Sequence, residues 1–386
     1  PGLEAVILKT LATRAADRHA AISELVADLE ALGDPADWIA QPPGVTLVIE
    51  QGDLAAFEAD VVAFEEARGF AGPAASVALK LGKAGTGLGA LIPDADSHTF
   101  VLTQAGITAP RALFIEVGSR ASFRYAKMRD FSARVLEILA REAPDTRHVA
   151  VAAQGGSRGL DEFEALAAQI AGFAGALRTE QFPRDLERIS LVDPDAQRVQ
   201  RLRAAMEQKL AGKDWAVRSR TAPGFILTRG APLAAAPAGE APEGRTGSDS
   251  SWTDPDHKPA VFVAMARRKD IEDIFYYGIQ AAVHASGFVC ERLDDQPAAG
   301  ETLGQMLKKL DTAALLVADL TSAPPIVFVE LGYAWARKCP TVLLLKGTQQ
   351  LPFEVRDQRC IVYDTIKDVE GAVAAELRQL RGSRMA

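Results

Sequence analysis

The sequence is poor in cysteine, and that shortage excludes several classes of protein. Its 386 residues include three cysteines, none of which belongs to a CxxC pair. So sparse and odd a number argues against a disulfide framework or a zinc site, and it is typical of reduced core thiols in a cytoplasmic protein. We therefore expect no metal site. The cysteines are Cys290, Cys339 and Cys360.

An excess of basic residues and a long apolar run are also missing. The net charge is 43 − 51 = −8, which disfavours a general nucleic-acid binder because phosphate contacts require concentrated Lys and Arg. No apolar run approaches the roughly 20 residues of a membrane span. No basic-then-apolar signal stretch opens the sequence. These absences predict a cytoplasmic protein that binds neither membranes nor nucleic acids in general.

Apolar residues are abundant enough for more than one core. The hydrophobic fraction is 48% and the mean hydropathy is +0.02, so global disorder is not expected. A length of 386 residues suits two or three domains. Residues 216–258 are rich in Ala, Pro, Gly, Ser and Asp without apolar periodicity, which predicts a flexible linker. The predicted units are a helical segment (1–40), an α/β domain (44–215), the linker (216–258) and a second α/β domain (259–383).

In the helical segment, an Ala16-Asp17-Arg18 turn is followed by Glu24-Leu25. On these residues the segment resembles the last helices of a bacterial Ser/Thr protein kinase domain. No phosphate-covering Gly-rich loop, HRD or DFG motif precedes it, so this chain is not itself a kinase. Two interpretations stay open: an upstream kinase domain in a longer parent chain, or two packing helices.

Strands and helices alternate through residues 44–215, which indicates an α/β layered domain. Gly52-Asp53 follows the first predicted strand, and glycines recur at Gly69, Gly72, Gly155 and Gly156. On these residues the region resembles a divergent macro domain, the ADP-ribose-binding fold also found at the front of leucyl aminopeptidases. The resemblance implies that an Asp binds the adenine amine and that Gly-rich loops cradle phosphates. The family's paired asparagines are replaced here by Phe64 and Glu65, so we expect nucleotide sensing or a scaffold role rather than ADP-ribose hydrolysis. The implied pocket residues are Asp53, Gly69, Gly72, Gly155 and Gly156.

From Ala260 the pattern is a regular βαβαβ order, which predicts a flavodoxin-like parallel sheet with helices on both faces. The predicted fold class is thus α/β, with two doubly wound three-layer domains after a short helical segment. In such sheets ligands bind outside the carboxyl ends of the strands. The candidate residues at those ends are Met265, Ala266, Arg267, Asp294, Asp319 and Thr321.

The second α/β domain contains the motifs VADLT at 317–321 and VFVELGYAWARKCPTVLL at 327–344. On these motifs it resembles the nucleoside 2-deoxyribosyltransferase-like group, which shares its fold with TIR domains. Family members cleave N-glycosidic bonds of nucleosides, or of NAD in TIR-like branches that act in bacterial immunity. The resemblance implies that Glu330 is the nucleophile or cation stabiliser, that Asp319 joins it, and that Tyr333 contacts substrate. Ala323-Pro324-Pro325-Ile326 stands where the family has Asn-Pro-Asn-Val, which weakens the expected sugar recognition.

The chemistry of such a site follows from the bond that breaks. Cleaving a ribosyl C–N bond builds positive charge on the anomeric carbon, which a nearby carboxylate stabilises or captures. Glu330 is predicted near a helix start, where the dipole favours its ionised form. Nicotinamide already carries positive charge and needs no general acid, whereas a neutral base needs one, with Asp294, Asp295 and Asp319 as candidates.

The favoured hypothesis is therefore an N-glycosidase that cleaves NAD as substrate, with no cofactor, and with the macro-like domain as a nucleotide-sensing or assembly module. The alternatives are a non-catalytic nucleotide-sensing or interaction protein and a nucleoside 2-deoxyribosyltransferase or hydrolase. The expected partner is a nucleotide or nucleoside small molecule, and self-association into a homo-oligomer stays open.

Overall fold

The computed structural model describes residues 9–12, 22–30, 44–66, 70, 72–103, 105–119, 122–155, 159–229, 258–292, 303–347 and 355–385. Within the predicted helical segment it contains α1 (Ile22–Glu30). Lys9 bonds Glu24 and Asp28 of this helix at 2.8 and 2.9 Å. The kinase-like Ala16-Asp17-Arg18 turn lies outside the described residues. No helix in the described ranges is both long and apolar enough to cross a membrane.

The first domain is built on one mixed sheet of eight strands. Their order is β3-β4-β2-β5-β6-β1-β8-β7, and the pairs from β4 through β1 are parallel. The strands are β1 (Gly44–Gln51), β2 (Val61–Glu66), β3 (His98–Leu102), β4 (Arg111–Glu116), β5 (His148–Ala152), β6 (Arg188–Asp193), β7 (Ala216–Arg218) and β8 (Gly224–Thr228). The helices are α2 (Gly72–Lys83), α3 (Tyr125–Glu142), α4 (Glu162–Arg178) and α5 (Ala196–Leu210), with a 3₁₀ turn at Leu88–Leu91.

The first domain extends further along the chain than the sequence predicts. Strand β8 pairs antiparallel with β1, and β7 pairs antiparallel with β8. The boundary predicted at residue 215 is therefore wrong, because β7 and β8 fall within the predicted linker. These strands are short, and the alternation that marks a half-buried strand needs more residues to be recognised. Residues 230–257 of the predicted linker lie outside the described ranges.

The second domain is an all-parallel sheet of five strands in the order β10-β9-β11-β12-β13. The strands are β9 (Ala260–Ala264), β10 (Val289–Arg292), β11 (Ala313–Asp319), β12 (Thr341–Lys346) and β13 (Cys360–Tyr363). The helices are α6 (Ala281–Ala285), α7 (Leu303–Leu310), α8 (Pro325–Ala336) and α9 (Ile366–Met385). The predicted flavodoxin-like parallel sheet is confirmed.

The helical stretch between β9 and β10 contains a π-helical segment, Ile274–Gln280, which continues into α6. Helix α9 packs against this segment at Gly278. A Cβ at Gly278 would lie 3.1 Å from Cγ1 of Val369. The missing side chain therefore allows the two helices to approach closely.

Both sheets are covered on both faces, as an α/β three-layer arrangement requires. In β2, Val61 and Ala63 belong to one buried cluster, whereas Val62 and Phe64 belong to another. In β9, Val261 and Val263 face one core while Phe262 and Ala264 face the second. Successive strand residues point to opposite faces, so each sheet separates two hydrophobic cores. The predicted α/β fold class is confirmed.

Candidate functional site

The second sheet has a topological switch point between β9 and β11. The chain runs from β9 outward to β10 and then returns to place β11 on the other side of β9. In open parallel sheets this reversal leaves a crevice outside the carboxyl ends of the two central strands, where ligands bind. Met265 and Ala266 follow β9 and are buried, Arg267 is exposed, and Asp319 ends β11. Four predicted residues thus share this edge, while Asp294 lies outside the described residues.

Asp319 organises a buried hydrogen-bond network across the ends of three strands. One carboxylate oxygen accepts from the Thr321 backbone N–H at 2.9 Å, and the other accepts from the Tyr363 hydroxyl at 2.7 Å. The Thr321 hydroxyl lies 3.3 Å from the Tyr363 hydroxyl and accepts from the Lys346 backbone N–H at 2.9 Å. Both Asp319 oxygens are therefore engaged, and the network fixes the loop that leaves β11.

The electrostatics of this network favour the neutral forms of its members. Burial raises the pKa of the Asp319 carboxyl, and this effect outweighs the hydrogen bonds from Thr321 and Tyr363. Burial and the nearby Asp319 raise the pKa of the Tyr363 hydroxyl well above its ordinary range. The same two causes raise the pKa of the Cys360 thiol to about 11. Tyr363 and Cys360 are therefore protonated at neutral pH.

The raised pKa of Asp319 has a consequence for stability. An Asp in an unfolded chain has a pKa of about 3.9, so the folded protein binds more protons than the unfolded chain between that pH and the raised value. The free energy of unfolding therefore falls as pH rises through this window.

Asp319→Asn removes that titration. We expect the melting temperature of the wild type, minus that of Asp319→Asn, to decrease as pH rises from 4 to 7. Thermal unfolding of both proteins in matched buffers measures the difference, since all other titrating groups are shared. A difference that stays constant or increases with pH would contradict the predicted direction of the pKa.

The loop after Asp319 holds a strained residue next to the predicted crevice. Ser322 has a φ of 50°, the left-handed region that L residues rarely adopt. Pro324 follows in extended conformation as the N-cap of α8, and Pro325 is the first residue of that helix. Proline is favoured at this position because its ring fixes φ and no N–H is needed. The double proline thus sets where the helix starts.

Glu330 lies on the inward face of α8 and has an exposed fraction of 3%. Helix α8 packs against β9, β11 and β12. Glu330 is the sixth residue of the helix, which places it in the second turn. Because the dipole effect falls off within the first turn, the predicted dipole stabilisation of its ionised form does not apply at this position. The carboxylate is nonetheless held on the sheet-facing side of the helix that leaves the switch-point loop.

Tyr333 is placed elsewhere than the resemblance implies. Its hydroxyl donates to Asp311 at 2.8 Å. Asp311 precedes β11, whereas Asp319 is its last residue. The Tyr333 hydroxyl therefore points to the amino end of the strand, away from the switch point, and the predicted substrate contact is corrected.

Sequence reasoning missed Tyr363. It ends the edge strand β13 and is fully buried. Residues that follow or end parallel strands meet at one edge, so the same rule that selected Asp319 could have selected the last residue of Cys360–Tyr363. The feature in the sequence that indicates Tyr363 is a tyrosine at the carboxyl end of a short, mostly apolar strand.

The predicted pocket of the first domain is only partly described. Asp53 accepts the Ala55 backbone N–H at 3.0 Å and lies 3.5 Å from the Lys80 ammonium, so it stabilises a turn at the carboxyl end of β1. Gly72 begins α2, and Gly155 follows β5. Gly69 and Gly156 lie outside the described residues.

Carboxylates dominate the edge of the first sheet where the resemblance implies phosphates. Glu65 accepts from the Gln154 side-chain amide at 2.8 Å, which bridges the ends of β2 and β5. Glu66 and Glu116 are both buried and lie opposite each other in the register of β2 and β4. This edge of the first sheet therefore carries three carboxylate side chains.

Gly155 combines a positive φ with a close neighbour, so it depends on having no side chain in two ways. Its φ is 96°, and a Cβ would lie 2.7 Å from the Cβ of Ala165. We expect Gly155→Ala to lower the free energy of unfolding by about 3 kcal/mol from backbone strain and overpacking. Gly72→Ala is the control, because Gly72 also has positive φ but has nothing within 4 Å of an added Cβ. That change should cost about 1 kcal/mol in chemical denaturation, and equal losses would contradict the close contact.

No family model matches the chain, and no curated protein matches its sequence. Among solved structures, a macrodomain of Oceanobacillus iheyensis is similar at 12% identity and a TM-score of 0.33, over 44% of this chain and 94% of its own. The macrodomain of Mycobacterium tuberculosis DarG is similar at 14% identity and a TM-score of 0.31, over 39% of this chain and all of its own.

A second type of neighbour is the Clostridium botulinum CMP N-glycosidase BcmB, at 19% identity and a TM-score of 0.23. The similarity covers 30% of this chain and 97% of the glycosidase. TM-scores this low assign neither a family nor an activity to the chain. They give no support to the kinase-like or TIR-like resemblance, both of which stay predictions.

Proposed function

We propose that the second domain is an N-glycosidase that binds a nucleoside or nucleotide at the switch point and cleaves its ribosyl C–N bond. The observation that carries the proposal is Glu330, a carboxylate with 3% exposure on the sheet-facing side of α8. A buried carboxylate strongly stabilises positive charge because the surrounding dielectric is low. The developing oxocarbenium ion is such a charge.

The residues around Glu330 take different roles in this proposal. Both oxygens of Asp319 accept hydrogen bonds from the protein, so Asp319 positions the loop rather than protonating a leaving base. In this proposal Glu330 is the carboxylate that faces the anomeric carbon. Met265 and Ala266, after β9, line the neighbouring strand end, and the exposed Arg267 is suited to a phosphate or ribose hydroxyl.

This division of roles favours NAD as the substrate. The C–N bond breaks and its electron pair neutralises the pyridinium nitrogen, so nicotinamide leaves without a proton donor. Water adds to the anomeric carbon, giving ADP-ribose, and one proton is released to solvent through the Glu330 carboxylate. A neutral nucleobase would need a general acid, whereas the Asp319 oxygens are directed at the Thr321 N–H and the Tyr363 hydroxyl rather than at a leaving base.

A non-catalytic sensor is the second candidate, and the hydrogen bonding of both Asp319 oxygens within the protein favours it. Asp319 is 1% exposed and Glu330 is 3% exposed. In a sensor these groups would hold the loop and helix in the conformation that binds a ligand. The acidic edge of the first sheet also fits a domain without phosphate chemistry.

A substrate panel separates these functions. The purified chain is incubated with NAD, nucleosides, 2′-deoxynucleosides and nucleoside 5′-monophosphates, and free base is quantified by chromatography. Release of nicotinamide from NAD supports the proposal in its specific form. Release only from nucleosides or monophosphates supports an N-glycosidase or transferase with a different substrate. Ligand binding without any base release, even at high protein concentration, would leave the sensor as the function.

A further inference from the structure

The second domain docks its edge strand onto the first domain. Val289, at the start of β10, belongs to the main hydrophobic core of the first domain. At the end of the same strand, the Arg292 backbone N–H donates to the Gly159 carbonyl at 2.8 Å. An exposed edge strand is a site for unwanted pairing, and here the free edge of β10 is covered by the N-terminal ends of α3 and α4.

The side chain of Asp161 forms hydrogen bonds with both domains. It is the N-cap of α4, and one carboxylate oxygen accepts from the Phe163 and Glu164 backbone N–H groups. The other oxygen accepts from the Cys290 backbone N–H at 2.9 Å and from Nε2 of His284. The side chain is completely buried. One carboxylate therefore caps a helix of the first domain and satisfies two donors of the second.

The charge state of Asp161 fits this role. Burial alone raises the pKa of its carboxyl, but the His284 ring and the backbone N–H donors outweigh burial, so the pKa lies below its ordinary value. The carboxylate is thus the form present at neutral pH. Removing either the buried carboxylate or the groups that donate to it strongly destabilises the folded protein, because the remaining partner stays buried and unpaired.

A second contact repeats the pattern at α3. The N-cap of this helix, Arg124, has no side-chain capping bond. Glu291 of the second domain lies there instead, accepting from the Arg124 guanidinium at 2.6 Å and the Tyr125 hydroxyl at 3.1 Å. The Tyr125 hydroxyl in turn accepts from the Asp161 backbone N–H at 2.9 Å. A negative charge at a helix N-terminus is stabilising, so Glu291 acts on a helix of the other domain.

The third contact joins α5 to the π-helical segment. The Arg201 guanidinium lies 3.7 Å from the ring centroid of Tyr276 and donates to its hydroxyl at 2.9 Å. Arg201 is held from its own side by Glu162, at 2.9 Å. Cation–π contacts gain strength when desolvated, and this one anchors the helix that follows β9.

We propose that the first domain is the docking platform of the second, and that Asp161 couples the folding of the two domains into one cooperative unit. The occupant of this surface is the chain's own β10 and α6. The inference does not rest on the N-glycosidase proposal, because it concerns folding and not ligand chemistry. Docking of β10 also fixes one neighbour of the switch point, because β10 pairs directly with β9, whose carboxyl end borders the crevice.

The test compares Asp161→Asn with Asp195→Asn in the full chain. Asp195 is a matched control: it is an exposed N-cap, of α5, that accepts from the Gln197 and Arg198 backbone N–H groups. Asn caps helices about as well as Asp, so both variants keep the cap and only Asp161→Asn loses the buried charge. Differential scanning calorimetry should show one transition for the wild type. Asp161→Asn should lower the midpoint by about 10 °C, and Asp195→Asn by less than about 2 °C.

Hydrogen exchange locates the effect. The backbone amides of residues 288–292 should exchange faster in Asp161→Asn than in the wild type, and at the wild-type rate in Asp195→Asn. His284→Ala removes the partner of Asp161 that belongs to the second domain. In the double variant, the shift of the midpoint should differ from the sum of the shifts caused by His284→Ala and Asp161→Asn alone. Two separate transitions in the wild type, equal midpoint shifts for the two Asn variants, or additive effects of Asp161→Asn and His284→Ala would overturn the proposal.

Discussion

Glu330→Gln is expected to lower the rate of base release by about 100- to 1,000-fold. The substitution keeps the size and shape of the side chain but removes the negative charge that would stabilise the oxocarbenium ion. The positive charge of the oxocarbenium ion develops only in the transition state. The substitution should therefore lower kcat and leave KM nearly unchanged. Initial rates over a range of substrate concentrations separate the two parameters.

Two controls make the Glu330 result interpretable. The melting temperature of Glu330→Gln should stay within a few degrees of the wild type, which excludes loss of the fold as the cause. Val329→Ala serves as the neighbouring control, since Val329 is 44% exposed on the outer side of the same helix and should retain wild-type rates. A Glu330→Gln variant that releases base at the wild-type rate would remove Glu330 from the proposed chemistry.

Asp319→Ala is expected to be the most destabilising single change at the switch point. It leaves the Tyr363 hydroxyl and the Thr321 N–H buried without their acceptor. Each unsatisfied group costs about 1–3 kcal/mol, so the free energy of unfolding should fall by about 3 kcal/mol and the melting temperature by about 10 °C.

Asp311→Ala is the matched control for Asp319→Ala. Asp311 lies before the other end of β11, where it is exposed and bonded to Tyr333 and Arg337. Surface contacts of this kind contribute little, so the melting temperature should change by less than about 2 °C. Thermal unfolding of the two variants at neutral pH makes the comparison. Equal losses would show that the buried network does not stabilise the loop.

The sequence carried enough information to place the switch-point edge. Long apolar runs such as Ala313–Asp319 and Thr341–Lys346 are buried on both faces, and such runs separated by helices define a parallel sheet. The rule that ligands meet the carboxyl ends of strands then selects Asp319 and Thr321 from the sequence alone. Local pattern and global topology agree in this domain.

Other features depend on contacts that no local pattern encodes. Strand β7 has three residues, too few for periodicity to distinguish it from a loop. Asp161 looks in sequence like an ordinary N-cap, and nothing in its neighbours predicts that Cys290, 129 positions away, donates to it. Only tertiary folding brings those two residues together, so the sequence pattern does not show that the two domains are in contact.

The position of Glu330 illustrates a third limit. The sequence predicts a helix start near Glu330, and the structure places that start at Pro325. Counting from that residue already places Glu330 in the second turn, so the expectation of dipole stabilisation was wrong in its physics rather than in its secondary structure. Its burial, by contrast, depends on packing against β9, β11 and β12 and was not readable from the sequence.

The most direct test of the central claim is a time course of free nicotinamide released from NAD, with wild type and Glu330→Gln at protein concentrations equal to the substrate. Under these conditions a single turnover is visible even for a slow enzyme. The proposal predicts stoichiometric release by the wild type and about 100-fold slower release by Glu330→Gln. Identical time courses for the two proteins, or bound NAD that stays intact with the wild type, would contradict it.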